Sequence, residues 1–168
     1  EIKNLEFADS LSTPLNKTDF EKFTSLNYFA PDVEYHVKAS FKIDTLTPVF
    51  GMKTTTDRLP NYRIYGLAEF VIHDTLCTLT VYQNVDYKDD PEYGNTLFIP
   101  FRDATNGKQT YKAGRYVDIP IPLNDSILID FNLAYNPYCA YDSRWSCPLV
   151  PSENWLKIAI LAGEMNFK

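Results

Sequence analysis

From Val33 to Asp44 the chain alternates apolar and polar residues without a break. Val33, Tyr35, Val37, Ala39, Phe41 and Ile43 hold one parity; Glu34, His36, Lys38, Ser40, Lys42 and Asp44 hold the other. Successive side chains of a strand point to opposite faces. The stretch therefore predicts a strand with one face buried and the other wet. Weaker strand signals follow at 47–54, then a turn at Arg58-Leu59-Pro60-Asn61. Residues 62–72 and 75–85 read as a hairpin about His73-Asp74. Its arms are apolar on both faces in places, which predicts a central position.

The rest of the chain continues in the same way. Residues 85–95 form a charged loop holding Pro91 and Gly94, and further strands are expected at 96–101, 115–121, 126–133 and 155–162. Residues 1–30 read as helical or irregular. Thr18 and Glu21 suit a capping box, in which each side chain satisfies a backbone N–H of the other residue. Phe20 and Phe23 then share one side of a short helix, expected to lie on the sheet as a lid or brace. Short loops between many strands predict a mainly β fold, an antiparallel β-barrel or sandwich with a short N-terminal helical segment. A barrel is favoured, because strands with aromatics on both faces need cover on both sides. At 168 residues the chain is expected to be a single domain, 1–168, able to bury roughly 70% of its unfolded surface. An aromatic fraction of 15% suits the pleated surface of a sheet.

Charge and hydropathy exclude some partners. The net charge is −6 and no cluster of lysine or arginine occurs, which argues against nucleic acid, whose phosphates need a basic stripe. No apolar run approaches the ~20 residues of a membrane span. A start at Glu1 in place of methionine makes a removed signal peptide one expectation.

The most unusual segment is 130–154, DFNLAYNPYCAYDSRWSCPLVPSEN. It begins as the end of a strand and becomes a loop carrying Tyr135, Tyr138, Tyr141 and Trp145. Surface loops are mostly small and polar. One so aromatic must bury much of itself, so it is expected to pack back over the core and close something. Its Cys139 and Cys147 allow three readings. A disulfide would stabilise by about 2.5 kcal/mol in the chain-entropy model, given export. Alternatively the two are buried thiols serving as small apolar residues, or a metal or nucleophilic site. Zinc wants four ligands at closer spacing, and only His36, His73 and Cys77 remain to add, so no metal site is expected. Cys77 reads as an unpaired core residue. His36 lies on the wet face of its strand and His73 in a turn, so neither supplies a base to a nucleophile. Thr105-Asn106-Gly107-Lys108 lacks the second glycine and the following helix of a phosphate-binding loop. No motif specific to a cofactor is present.

Carboxylates carry more weight. Asp103 follows a strand, Asp118 lies within one, and Glu164 comes after the last. Asp130 and Asn132 share a side with Leu128, suggesting that this side is not simply wet. Arg115, Tyr116, Asp130, Asn132 and Tyr135 are polar or amphipathic groups within or beside apolar segments, where polar groups need partners. They are expected to gather beneath the 133–154 loop, as a buried structural network or as the polar lining of a ligand site.

The same segments carry a family resemblance. Pro100-Phe101-Arg102-Asp103-Ala104-Thr105-Asn106-Gly107, Thr110-Tyr111 with Gly114-Arg115-Tyr116, Asp130 through Tyr141, Cys147-Pro148 and Glu153-Asn154-Trp155-Leu156 together resemble the bacterial proteins grouped as domain of unknown function 1684. TPL at 13–15 and LNYFAPDVEYHV at 26–37 resemble the opening of that family. The resemblance implies a shared fold and no activity. Relatives in similar bacteria often look exported, which implies a periplasmic or cell-envelope location.

Two functions follow as expectations, beside a third in which the chain is a structural or interaction protein of the envelope with no pocket. The first is a binding module whose mouth, under the 133–154 loop, holds a small molecule or a glycan against aromatic walls. The alternative is a hydrolase using Asp130 or Asp103 as acid/base, with Arg115 as an electrostatic clamp.

Overall fold

The structure, a computed structural model, describes residues 2–168. Glu1, the first residue of the segment expected to be helical or irregular, lies outside them. Two short helices come first, α1 (Ile2–Ala8) and α2 (Lys17–Phe20). The strands are β1 (His36–Ile43), β2 (Phe50–Gly51), β3 (Asn61–Ile72), β4 (Thr75–Asn84), β5 (Thr96–Phe101), β6 (Arg115–Pro120) and β7 (Ser126–Asp130). They form one antiparallel sheet in the order β6-β5-β4-β3-β1-β7, with β2 paired to β3.

The sheet curls into a half-barrel. Val37 of β1, Val117 of β6 and Ile129 of β7 come from opposite ends of the strand order, yet they share one buried cluster with Leu79, Ile99 and Phe101. Only a curled sheet brings its two ends to a common interior. Past β7 the chain crosses to the other edge, where Tyr135 and Tyr116 of β6 exchange backbone hydrogen bonds at 2.9 Å. Those two bonds close the open side at one end. A second, smaller apolar cluster lies on the outer face around Met52, Tyr62 and Tyr82.

Local chemistry explains the central hairpin. His73 and Asp74 adopt φ of 47° and 58°, the left-handed pair that a two-residue turn of the hairpin hand requires. β3 and β4 are the two middle strands, as their two-sided apolar pattern predicted. A bulge falls between Ile64 and Gly66. A Cβ at Gly66 would stand 2.5 Å from the ring of Phe41, so the strand can pass over that ring only at a glycine.

Several elements differ from expectation. β1 begins at His36, because Asp32 accepts the Glu34 N–H at 2.9 Å and caps a 3-10 turn over Val33–Tyr35. Tyr35, Val37, Ala39 and Phe41 are buried with the predicted parity, whereas Val33 and Ile43 at the ends are exposed. The strand expected at 47–54 shrinks to two residues. Residues 155–162 are not a strand: they run beside the end of β5 with one parallel bridge, Arg102 to Trp155. Helix α2 is capped by Asn16, which accepts the Asp19 N–H at 3.0 Å, so the Thr18–Glu21 box does not form. The N-terminal segment covers the 133–154 loop rather than the sheet, with Phe7, Leu15 and Leu26 packed around Tyr141. Among the described residues no helix is long and apolar enough to cross a membrane.

Candidate functional site

The outer face of β3 to β6 is built by alternation. On β6, Arg115, Val117 and Ile119 point into the half-barrel, and so Tyr116 and Asp118 must point out. Register places Phe98 opposite both Tyr82 and Asp118, and Tyr62 opposite Asn84. The result is an outward row of Tyr62, Phe98 and Tyr116. Ring centroids lie 5.8 Å apart for Tyr62–Phe98 and 4.7 Å apart, edge to face, for Phe98–Tyr116.

Three other segments wall this face in. The 133–154 loop contributes Tyr135, Pro137, Tyr138, Ser146, Cys147 and Pro148. Tyr87, Asp90 and Tyr93 come from the β4–β5 loop, and Lys3 and Glu6 from α1. The cleft between them, open to solvent, has a volume of about 720 Å³, within the range of small-molecule sites. The aromatic loop thus packs back and closes one side of a cavity, as its composition required. It is held there by strand-like bonds to residues 53–55, Leu149 N to Lys53 O and Thr55 N to Cys147 O, both 2.9 Å. The Tyr116 hydroxyl donates to the Pro148 carbonyl.

Asp118 is the carboxylate of the cleft floor. The Tyr135 hydroxyl donates to its Oδ2 at 2.7 Å, and its Oδ1 has no protein partner among the described residues. The carboxylate is solvent-exposed at the cleft, but the cleft walls beside it take away part of its hydration. That desolvation raises its pKa, against the lowering effect of the Tyr135 hydrogen bond. Burial likewise lifts Tyr62 to about 12 and raises Tyr116 and Tyr135 well above the phenol range, with the nearby Asp118 charge adding to the shift at Tyr135. All of these phenols stay protonated at neutral pH.

The structure divides the residues expected to gather under the loop. Tyr116 and Tyr135 line the cleft. Arg115 faces the other side of β6, fully buried, where Nη2 donates to Asp103 at 3.0 Å and to the Ile160 carbonyl at 2.9 Å. Its Nη1 donates to the carbonyls of Ala162 and Glu164. Asp103 completes its own shell with the Thr105 N–H at 2.8 Å and the Thr105 hydroxyl. The expected link from Arg115 to Asp130 is thus corrected: Asp103 takes the guanidinium. Asp130 instead caps the 3-10 turn over Phe131–Leu133, accepting from Asn132 N at 3.0 Å and from Asn132 Nδ2 at 2.9 Å. Asn132 in turn holds Asp32 through two backbone bonds. Leu128, on the same side, is exposed, so that side is the wet one. A lone exposed leucine is ordinary and could not mark a buried face.

The buried polar set extends further. Asn154 acts as a piece of backbone between β4 and β5, accepting from Thr80 N and donating to the carbonyls of Thr80 and Pro100 at 2.7–2.8 Å. Glu164, 1% exposed, receives Lys3 at 2.6 Å, the Tyr141 hydroxyl, and both the backbone and side-chain amides of Asn136. Gly114, at φ 105°, precedes Arg115. A Cβ there would stand 2.6 Å from the Phe101 carbonyl, and this close approach lets β6 deliver the guanidinium to Asp103.

Cys77, Cys139 and Cys147 are free thiols. Cys139 and Cys147 are adjacent in space, and the Cys139 N–H donates to the Cys147 sulfur at 3.2 Å. The Cys147 side chain beside Cys139, with the Tyr111 hydroxyl at 3.8 Å, favours the Cys139 thiolate, so the pair loses its first proton below the usual thiol range, at about 7, and its second far above it. Among the described residues no group of three or more His, Cys, Asp or Glu is placed to hold a metal ion.

A family model described as "Protein of unknown function (DUF1684)" matches residues 21–165. The chain belongs to this family. No curated protein matches it significantly. It is similar to the solution NMR structure of an uncharacterized protein of Haloarcula marismortui, with 34% identity and a TM-score of 0.77 over 98% of this chain and 88% of that one. The segments that carry the DUF1684 resemblance divide between the two polar regions. Asp103, Thr105, Thr110, Arg115, Asn136 and Asn154 are sealed in the interior, whereas Tyr116, Tyr135, Pro137, Tyr138, Cys147 and Pro148 reach the cleft.

Sequence reasoning missed most of the cleft: Tyr62, Phe98, Tyr87, Tyr93, Lys3 and Glu6. Part of it was within reach. Strand parity alone separates Arg115 from Tyr116 and joins Tyr116 to Asp118. The contributions of α1 and the 85–95 loop carried no such signal.

Proposed function

We propose that this protein binds a small organic ligand or a glycan unit in the cleft between the outer face of β3–β6 and the 133–154 loop. One observation carries the reading. A cavity of about 720 Å³ is lined by Tyr62, Phe98, Tyr116, Tyr135 and Tyr138, with Asp118 at its floor and Lys3, Glu6 and Asp90 in its walls. Apolar aromatic walls with few polar groups fix a ligand's place and orientation. The platform is four hydrogen-bonded strands, so the site is preorganised. The test is a ligand-observed NMR screen of small organic compounds and oligosaccharides, repeated on Tyr62→Ala. Hits whose signals are lost in that variant support the cleft as the site. Hits unaffected by it, or none, end the reading.

A second reading, acid/base catalysis, is favoured by one observation: Asp118 has a raised pKa and a phenol at 2.7 Å. A carboxyl poised to exchange a proton suits hydrolysis. Asp118 is the carboxylate positioned for it. Asp103 and Arg115 are sealed from any substrate, and Asp130 is committed to its cap. Turnover of any bound compound that vanishes in Asp118→Asn would favour this reading over simple binding.

A further inference from the structure

The ligand's chemistry can be narrowed, on the premise that the cleft is a binding site. Four charged residues line it: Lys3, Glu6, Asp90 and Asp118. Lys3 is committed to Glu164 at 2.6 Å. Arg58, behind the wall, gives Nε and Nη2 to Ser146. Neither cation is free to meet an anionic ligand. The acids are differently placed. Glu6 accepts from the Tyr138 hydroxyl, and Asp90 Oδ1 accepts from the backbone of Glu92 and Tyr93. Asp118 keeps one oxygen without a partner among the described residues. The lining charge is therefore net negative.

Ring geometry points the same way. Phe98 meets Tyr116 edge to face at 74°, and Tyr116 meets Tyr135 at 88° with centroids 5.7 Å apart. Rings in edge-to-face contact turn their faces in different directions. The half-buried rings of Phe98 and Tyr135, backed by the buried Tyr116, therefore line a corner, an open box rather than the flat platform on which a sugar face stacks. Such boxes attract cations through the negative faces of the rings. One wall already does so, since the Lys3 ammonium lies 5.0 Å from the centre of the Tyr135 ring.

We propose that the cleft takes an organic ammonium ion, its cationic head against Phe98, Tyr116 and Tyr135 and ion-paired with Asp118. Both features act on the same charge: the rings supply a polarisable wall that strongly hydrated metal ions do not use, and the carboxylate supplies the counter-ion. A neutral molecule of the same shape keeps the apolar contact and loses both.

The test compares choline chloride with its neutral isostere 3,3-dimethylbutan-1-ol and with a methyl glucoside, by NMR titration of the full chain. Choline is expected to shift the Tyr62, Tyr116 and Tyr135 ring signals, and to bind at least about tenfold more tightly than the alcohol. Asp118→Asn is expected to remove that preference, with a melting temperature no lower than that of the parent chain confirming the fold. Tyr135→Phe keeps the ring and frees the carboxylate, so choline binding should persist or strengthen. Equal binding of alcohol and choline, an unaltered preference in Asp118→Asn, or loss of binding in Tyr135→Phe would each overturn the cation inference. Binding of the glucoside but not choline overturns it too, while leaving the cleft as a binding site. If no compound of any class shifts the cleft signals, both fall.

Discussion

Arg115 and Tyr116 are neighbours in sequence and belong to opposite regions of the molecule. Arg115 points into the half-barrel, where every hydrogen of its two terminal nitrogens is directed at Asp103 or at the carbonyls of residues 160–164. Tyr116 points out, into a cavity floored by a carboxylate with an oxygen to spare. Both regions are polar and both sit on β6. They differ in closure. The sealed network leaves Arg115 Nε and Asn136 Oδ1 unpartnered, but no cavity reaches it, so it holds one arrangement and offers nothing to a ligand. A half-satisfied group that faces a cavity is where a ligand gains a partner.

The sharpest way to break that contrast is to damage the sealed side. Asp103→Asn removes the charge facing Arg115 and leaves a buried guanidinium uncompensated, which is expected to cost about 3–5 kcal/mol. Denaturant unfolding measures it. A cost below about 1 kcal/mol would mean that the pair is wetter than the structure shows.

Asn154→Ala should come next, at about 2–4 kcal/mol, because it strands the Thr80 N–H and the carbonyls of Thr80 and Pro100. If these groups recruit water instead, the loss will be smaller, and β4 and β5 will be shown to tolerate a gap. Neither variant touches the cleft. Any ligand found there should bind the surviving folded fraction with unchanged affinity.

Cys139 and Cys147 lie on the seam, since Cys147 lines the cleft while its loop is tied to residues 53–55. The favoured Cys139 thiolate predicts alkylation by iodoacetamide that accelerates as pH rises through about 7, as thiolate replaces thiol. Cys77, whose pKa burial pushes up, should lag. Oxidation by excess oxidised glutathione should join the pair and raise stability by up to about 2.5 kcal/mol. Peptide mapping that finds a different pairing, or none, would contradict their adjacency. An exported chain would carry this bond already.

Much of the fold was legible because period-two patterns are local. The alternation at 35–41, the hairpin about His73-Asp74 and the central place of its arms all follow from residues read in order. The cleft was less legible for two reasons. Its walls come from segments far apart in sequence, and nothing local in Glu6 or Tyr93 says that they meet. Whether Arg115 can reach Asp130 depends on strand order, which the pattern does not encode. Tyr135, itself part of the loop, meets Asp118 rather than Asp130, because Asp118 lies on a strand that only the Tyr116–Tyr135 bridge brings alongside. The last strand failed for a different reason. Residues 155–162 are extended and partly buried, yet their backbone bonds to 102–104 amount to one bridge, after which the Ile160 N–H goes to the Asp103 side chain and no ladder is built.

The smallest expected effect is the most telling. Asp118→Asn should leave the fold unharmed or slightly more stable, opposite in sign to Asp103→Asn. Desolvation raises the Asp118 pKa in the folded state, so above that value the protein carries a partly desolvated charge that the unfolded chain hydrates freely. Between the unfolded value, ~3.9, and the raised folded value, the folded state binds more protons than the unfolded one. Stability contributed by this group therefore falls as pH rises through that window and is flat above it. Asparagine keeps an acceptor for the Tyr135 hydroxyl and has no charge to desolvate, so the variant should lose this pH dependence and gain a little at neutral pH. Thermal melts of both proteins at pH 4, 5, 6 and 7 would read the difference directly. A clear loss of stability at pH 7 would make Asp118 a structural member like Asp103. A small gain, joined to weaker ligand binding, would identify a charge kept for function at some expense to the fold.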